Sequence, residues 1–324
     1  MNKESIEEGI KDIASVCAQV REITGSYIVG NQNLVETILI GVLSDGHVLI
    51  EGVPGTAKTT IVKLVSIMLG CESKRLQCAV DTQPSDIIGI RIWNQRENEF
   101  EFKRGPVFTN ILLIDEINRL PPRSQSAFIE AMSERQVTVD GRGVKLNKPF
   151  FTIATQNPFE QEGTFPLIEA QKDRFMFSIN SKYLDADDEL EIISREQKGS
   201  LNWSFISGKV KPLLSAEKID RGAETVKEIT VEPPVLGYIR DIIIATRNHG
   251  DVRLGASSRG SIALLRGSKA LAAINGRTYV TPDDVKAVAH RVLQHRVILK
   301  YESEISSITT ADVIDQILGT IEVP

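Results

Sequence analysis

The spacing of apolar residues changes character along this chain, and the changes predict its architecture. In the first half, short apolar runs at 47–51, 75–79, 111–115, 150–155 and 175–179 alternate with helical patterns that start near 31, 58, 121 and 166. Such runs, bounded by turn residues, read as strands. Their alternation with helices predicts an α/β fold, an αβα sandwich around a mostly parallel five-stranded sheet. Two segments break the alternation: residues 91–104 and 136–148 show apolar and polar residues in turn on either side of a polar bend, Asp140-Gly141 in the second, and read as hairpins. From about Asp185 the strands stop, and helical patterns punctuated by Pro233-Pro234 and Pro282 run to the end. The expected division is an α/β core over 1–183 and an all-helical body over 184–324.

Composition narrows the class. The 324 residues, 41% hydrophobic and 25% charged, can bury a sizeable core, and a net charge of −5 gives no whole-chain preference for nucleic acid or anionic membranes. Ile6, Ile10, Ile13, Cys17, Val20 and Ile23 recur at helical spacing, while Glu4, Glu7, Glu8, Lys11 and Asp12 interrupt any signal-peptide core. No run approaches the ~20 apolar residues of a membrane span, so the expectation is a soluble, cytoplasmic protein. Cys17, Cys71 and Cys78 lack CxxC spacing and suit a reducing compartment as small buried side chains. His47, His249, His290 and His295 show no ligand spacing, and no transition-metal site is expected.

The candidate chemistry begins after the first strand. Gly52, Val53, Pro54, Gly55, Thr56 and Ala57 form a glycine-bearing loop that runs into Lys58, Thr59 and Thr60 at the start of a helix. Strand, loop, Lys-Thr and helix in that order make a cradle whose backbone N–H groups face phosphate anions. Lys58 can reach the β/γ oxygens of a nucleotide, and the Thr59 hydroxyl can ligate Mg²⁺. Ala57 stands where a glycine usually precedes the lysine. Alanine is acceptable there if the residue already has negative φ as the helix opens. Downstream, Ile111-Leu-Leu-Ile-Asp-Glu116 is a buried-strand pattern ending in two acids. Asp115 would support Mg²⁺, and Glu116 would polarise the attacking water. Asn157, at the end of the strand Thr152–Gln156, could position the γ-phosphate or that water. Arg174, where a helix enters the last strand, would lie at a subunit edge and reach a neighbour's γ-phosphate. Arg259 follows a serine helix cap, in a first turn where the helix dipole disfavours a cation unless an anion binds beside it.

These residues together resemble the AAA+ ATPases, and within them the MoxR family. The resemblance runs through Gly46–Thr59, Gly105–Arg119, Ala154–Phe175, Gly255–Arg259 and Gly276–Val285, and so covers nearly the whole chain. It tolerates Ala57 and is weaker at Thr56, Ile168 and Lys172, and within residues 81–90. The resemblance implies that Asn157 is the sensor-1 residue, Arg174 the arginine finger and Arg259 a sensor-2 arginine coupling hydrolysis to lid rotation. It implies that Ile28 and Val29, within Tyr27–Gly30, sandwich the adenine. It implies a helical lid, ATP and Mg²⁺ as substrate and cofactor, a homo-oligomeric ring, a hexamer, and a chaperone-like role on protein clients. Partners with von Willebrand factor A domains are also implied.

The rival is a nucleic-acid-associated motor, because ring helicases share the two hairpin inserts. Here the first hairpin sets Arg91, Arg96, Lys103 and Arg104 against Glu97, Glu99 and Glu101; the second sets Arg135, Arg142, Lys145 and Lys148 against Glu134 and Asp140. Mixed tips of this kind favour solvent or protein contacts over phosphate grips. A third class, a nucleotide sensor that does not hydrolyse, is disfavoured by the presence of Glu116.

Overall fold

The computed structural model describes residues 3–53, 57–139, 141–158, 160, 162–181, 183–199 and 203–324. Helices α1 (Lys3–Tyr27) and α2 (Gln32–Leu43) precede strand β1 (Val48–Gly52), helix α3 (Lys58–Met68) and strand β2 (Ser73–Gln77). A short helix α4 (Pro84–Ile88) leads into hairpin strands β3 (Gly89–Asn94) and β4 (Glu99–Arg104), then β5 (Ile111–Asp115) and α5 (Pro122–Glu134). A second hairpin, β6 (Gln136–Val139) and β7 (Arg142–Lys145), is followed by β8 (Phe151–Gln156), the single turn α6 (Glu169–Lys172) and β9 (Phe177–Ser181). Helices α7 (Ala186–Gln197), α8 (Trp203–Lys209), α9 (Ala216–Lys227) and α10 (Pro233–Asn248) come next, then β10 (Val252–Leu254), α11 (Ser258–Ile274) and α12 (Pro282–Leu293). The chain closes with β11 (Ile298–Leu299), α13 (Tyr301–Ile305) and α14 (Thr310–Thr320).

Among the described residues, five strands pair in parallel in the order β2-β5-β8-β1-β9. This is the αβα sandwich expected from the alternation. Every residue of β5 and β8 is buried, as strands covered on both faces require. Alternation along the strands sends Ile50, Ile111, Leu113 and Ile153 to one apolar cluster, with α2 and α3. Leu49, Leu112, Ile114 and Ala154 go to the opposite cluster, where Phe128 and Met132 of α5 cover them.

The helical C-terminal part packs on the first of those faces. Gly267 of α11 meets the Phe177 ring of β9 so closely that a Cβ there would lie 2.9 Å from Cε1. Helix caps set the starts of these helices. Ser257 Oγ accepts from the Arg259 N–H at 3.1 Å before α11, and Thr281 and Asp284 form a reciprocal capping box around Pro282 at the start of α12.

Three expectations need adjustment. β2 lies two residues earlier than the apolar run at 75–79 suggests, because Ser73–Gln77 is an edge strand with alternately exposed positions, and its register with β5 ends at the pair Gln77 and Asp115. β9 begins two residues later than the run at 175–179, at Phe177, since the Phe175 N–H closes the turn out of α6 on the Lys172 carbonyl and register with β1 starts at Phe177. The helical part also carries a two-stranded ribbon, β10 with β11, too short to raise a period-two signal. Both hairpins form where the alternation places them. In the first, Trp93 and Phe100 are register partners stacked edge to face at 5.0 Å and half exposed. Asp140 of the second lies outside the described residues.

Candidate functional site

The carboxyl ends of β1, β8, β5 and β2 share one edge of the sheet, the edge at which open α/β folds bind ligands. A cavity of about 400 Å³ opens there, lined by Gly52, Ala57, Lys58, Thr59 and Thr60 from the first loop and helix. Arg75 and Gln77 come from β2, Asp115 and Glu116 from the end of β5, and Thr155, Gln156 and Asn157 from the end of β8. Residues remote in sequence thus converge because their strands are neighbours.

Gly52 has φ +135°, and a Cβ there would fall 2.1 Å from the Ser181 carbonyl oxygen of the paired strand. Only glycine fits a turn this tight. Val53 is buried, and its carbonyl accepts from Lys58 Nζ at 2.8 Å, while Gly52 O lies 3.4 Å from the same ammonium. Burial lowers the Lys58 pKa, and the nearby Asp115 carboxylate opposes that shift. Pro54, Gly55 and Thr56 lie outside the described residues. Ala57 corrects an expectation: its φ is +54°, in the left-handed region, not negative. The turn into α3 needs that conformation, which costs an alanine about 1–2 kcal/mol where glycine would adopt it freely.

The two acids at the end of β5 are held by their neighbours. Arg75 Nε donates to Asp115 Oδ2 at 2.5 Å, and Arg75 Nη2 donates to Gln77 Oε1 at 2.7 Å. Gln77 Nε2 in turn donates to Glu116 Oε2 at 3.2 Å. Two side chains on one face of β2 therefore connect both carboxylates. Thr155 Oγ1 supports the same turn from β8, accepting from the Glu116 N–H at 3.0 Å and donating to Asp115 Oδ1 at 3.3 Å. Arg119 Nε lies 2.9 Å from Glu116 Oε2, an ion pair whose N–H is not aligned for a hydrogen bond, and its other end pairs with Glu160. Cys78, beside these acids, has its thiol pushed up to about 12 by burial and then by the two carboxylates, so it stays protonated.

Asp115 and Thr59 are two of the oxygen-bearing side chains that line this cavity. Among the described residues no three His, Cys, Asp or Glu side chains cluster as a cage. One carboxylate and one hydroxyl suit magnesium, which keeps waters and takes phosphate oxygens for the rest of its octahedron. The Arg75 contact on Asp115 shows that this carboxylate already attracts a cation.

Arg174 and Arg259 do not join this cavity. They line a second one, of about 520 Å³, together with Arg135, Arg266, Arg296, Asp45, Glu134 and Asp173. Arg174 Nη1 donates to the Ala170 carbonyl at 2.6 Å. Arg259 Nη1 donates to Asp173 Oδ2 at 3.2 Å, and its side chain is 56% exposed. Ile28, buried, and Val29, half-buried, sit on the link between α1 and α2 and do not line the first cavity.

Arg75, Gln77, Thr155 and Arg119 are site residues that sequence reasoning missed. The signal for Arg75 and Gln77 existed, an i, i+2 pair of long polar side chains beside the acidic strand, but only the register Gln77 to Asp115 gives it meaning.

Comparison with known proteins identifies relatives of the chain in sequence and in fold. Residues 47–177 match the profile of the family described as "ATPase family associated with various cellular activities (AAA)", and residues 244–317 match that of an AAA lid domain. The chain is 38% identical over 314 residues to protein YeaC of Bacillus subtilis, covering 97% of each chain. It is 41% identical over 306 residues to Chaperone MoxR1 of Mycobacterium tuberculosis, covering 92% of this chain and 79% of the relative. A crystal structure of a Cytophaga hutchinsonii protein superposes with a TM-score of 0.90 at 38% identity, covering 99% of this chain and 98% of the other.

Proposed function

The chain belongs to the MoxR family of AAA+ ATPases, and from that membership we propose that it hydrolyses ATP with Mg²⁺ at a pocket completed by a second copy of itself. The observation that carries the proposal is the separation of the two arginines from the phosphate cavity. Lys58, Thr59, Asp115, Glu116 and Asn157 meet at one edge, whereas Arg174 and Arg259 line a different cavity. An arginine that serves a γ-phosphate but cannot face its own subunit's pocket has a task at the neighbour's. This departs from a sensor-2 role for Arg259 within its own subunit and pairs it with Arg174 instead.

In this reading the core over 1–183 binds nucleotide and the lid over 184–324 carries Arg259 to the interface. Backbone N–H groups of the loop and of the α3 N-terminus hold phosphate, and Lys58 exchanges its loop carbonyls for phosphate oxygens. Thr59 and Asp115 would hold Mg²⁺, which supplies charge neutralisation at the phosphates when bound. Glu116 accepts a proton from the attacking water, Asn157 orients that water, and Arg174 of the neighbour stabilises the charge that develops on the transferred group. Ile28 and Val29 would contact the base beyond the phosphate cavity. A ring, a hexamer, converts these shared sites into movement between subunits. The proposed work is remodelling or maturation of client protein complexes, with von Willebrand factor A proteins as partners.

The test is turnover against protein concentration. Specific activity should rise as copies associate, and Arg174→Ala should lower kcat by about a hundredfold or more with nucleotide binding retained. Full-rate hydrolysis by strictly monomeric protein, or an Arg174→Ala protein as fast as the wild type, refutes the shared site. Client capture is tested by Glu116→Gln protein with ATP, with Lys58→Ala protein as the control.

A further inference from the structure

Arg296, three residues past the end of α12, is a buried cation with no part in the chemistry above. Its side chain is 3% exposed, and the guanidinium is almost wholly spent on one tetrapeptide. Nε donates to Asp173 Oδ1 at 2.9 Å, Nη2 to the carbonyls of Asp173 at 3.1 Å and Phe175 at 2.6 Å, and Nη1 to the Met176 carbonyl at 3.0 Å. The remaining bond returns to its own helix, from Nη1 to the Val292 carbonyl at 2.5 Å. The clamped segment, 173–176, contains Arg174.

The same segment is tied to the start of α11. Asp173 gives one oxygen to Arg296, and its other oxygen accepts from Ser257 Oγ at 3.0 Å and from Arg259 Nη1 at 3.2 Å. Next to Arg296, His295 Nε2 donates to the Phe175 carbonyl at 3.0 Å. Burying a guanidinium carries a desolvation cost that an apolar contact between lid and core would not incur. What the guanidinium provides instead is a planar set of five N–H donors, which fixes the path of a backbone as an apolar side chain cannot.

We propose that Arg296 is the positioning residue for Arg174 and Arg259, locking the lid and the 173–176 segment into one body that presents both arginines to the neighbouring subunit's nucleotide. The proposal rests on the shared-site reading above. It makes lid movement and finger movement the same event: a lid that shifts carries Arg174 with it. Arg296 does not line the phosphate cavity of its own subunit, so its loss spares nucleotide binding there and impairs the turnover of the subunit next door.

The experiment uses the full-length protein with Arg296→Gln and, as a milder change, Arg296→Lys, which keeps the charge but offers three donors from one point. Affinity for a fluorescent ATP analogue and the thermal midpoint establish folding and the integrity of the pocket. The expected result is unchanged affinity and KM with kcat lowered about tenfold to a hundredfold in Arg296→Gln, and an intermediate loss in Arg296→Lys. Each variant is then mixed with Glu116→Gln protein, which is inactive itself but carries an intact Arg296 and Arg174. Turnover should recover in the mixture, because the Glu116→Gln subunit lends its arginines to the sound pocket of the Arg296 variant. A merely structural lesion would not be rescued by an inactive partner. The parallel mixture of Arg174→Ala with Glu116→Gln reports on the shared site itself. Recovery there without recovery for either Arg296 variant overturns the positioning role alone. No recovery in any mixture overturns the shared site and this role with it. Wild-type kcat in Arg296→Gln, or loss of nucleotide binding in both Arg296 variants, also overturns it.

Discussion

Gln77 Nε2 donates to Glu116 Oε2 at 3.2 Å, so the candidate general base is tethered by a side chain on the neighbouring strand. Arg119 lies 2.9 Å from the same oxygen, so a neutral amide and a guanidinium together hold the carboxylate in place. Removing the Gln77 amide frees the carboxylate to turn toward an attacking water, so Gln77→Ala should raise basal kcat by about threefold to tenfold with KM little changed. Steady-state kinetics at saturating Mg·ATP decides it; a fall in kcat would mean that the tether holds Glu116 in its working position.

Lys58 is lowered below its ordinary value of 10.5 by burial, and a phosphate group beside it would raise it again. Nucleotide binding should then take up protons in alkaline solution, and affinity should fall as pH rises through the lowered pKa of the free protein. Calorimetry in buffers of different ionisation enthalpy measures that uptake. Lys58→Ala should abolish the uptake and weaken binding by at least about tenfold, the equivalent of the ~1.5–3 kcal/mol of a charge-assisted hydrogen bond.

His47 and His295 are buried, and burial holds both well below 6.5. His47 is fixed neutral, Nδ1 accepting from the Thr152 N–H at 3.1 Å and Nε2 donating to the Met132 carbonyl at 3.2 Å. The unfolded chain binds protons at these sites below the ordinary value while the folded chain does not. Stability is therefore intact above about pH 6.5 and declines as pH falls below it, by up to about 1.4 kcal/mol per pH unit for each histidine. Denaturant titrations between about pH 7 and pH 5 should show the slope. His47→Gln should reduce it by one histidine's share, at some cost in stability at neutral pH.

Gly52→Ala tests the tight approach of β1 to β9. A Cβ 2.1 Å from the Ser181 carbonyl oxygen, at φ +135°, forces the backbone to move. A loss of about 3 kcal/mol or more is expected, together with loss of nucleotide binding, because the loop that starts at Gly52 shifts with it. A thermal midpoint and affinity equal to the wild type would show that the strand end has room to relax.

Much of the fold was legible because it rests on contiguous residues. The runs at 111–115 and 150–155 are apolar without interruption because both faces of β5 and β8 are covered, and each lands within a residue of its strand. Lys58 and Thr59 follow their glycine-bearing loop directly, and Glu116 follows Asp115, so these members of the cavity lining could be read from local order alone. The edge strand β2 was harder. With alternate positions exposed, its apolar signal is displaced toward Cys78, and the roles of Arg75 and Gln77 were hidden with it. Ala57 was misjudged for a different reason: sequence does not report the sign of φ, and the turn into α3 imposes +54° on a residue type that disfavours it.

By itself the sequence determined the strand-helix alternation, the Lys58-Thr59 start of α3, the paired acids and the helical C-terminal part, because each is a property of neighbouring residues and their period. Tertiary structure decided the rest. The order β2-β5-β8-β1-β9 set Gln77 beside Glu116, and the docking of α11 and α12 on the sheet carried Arg259 and Arg296 to Asp173, away from Lys58. Those choices depend on which apolar faces find each other and which donors meet which carbonyls across more than a hundred residues of chain, and no local pattern encodes that distance.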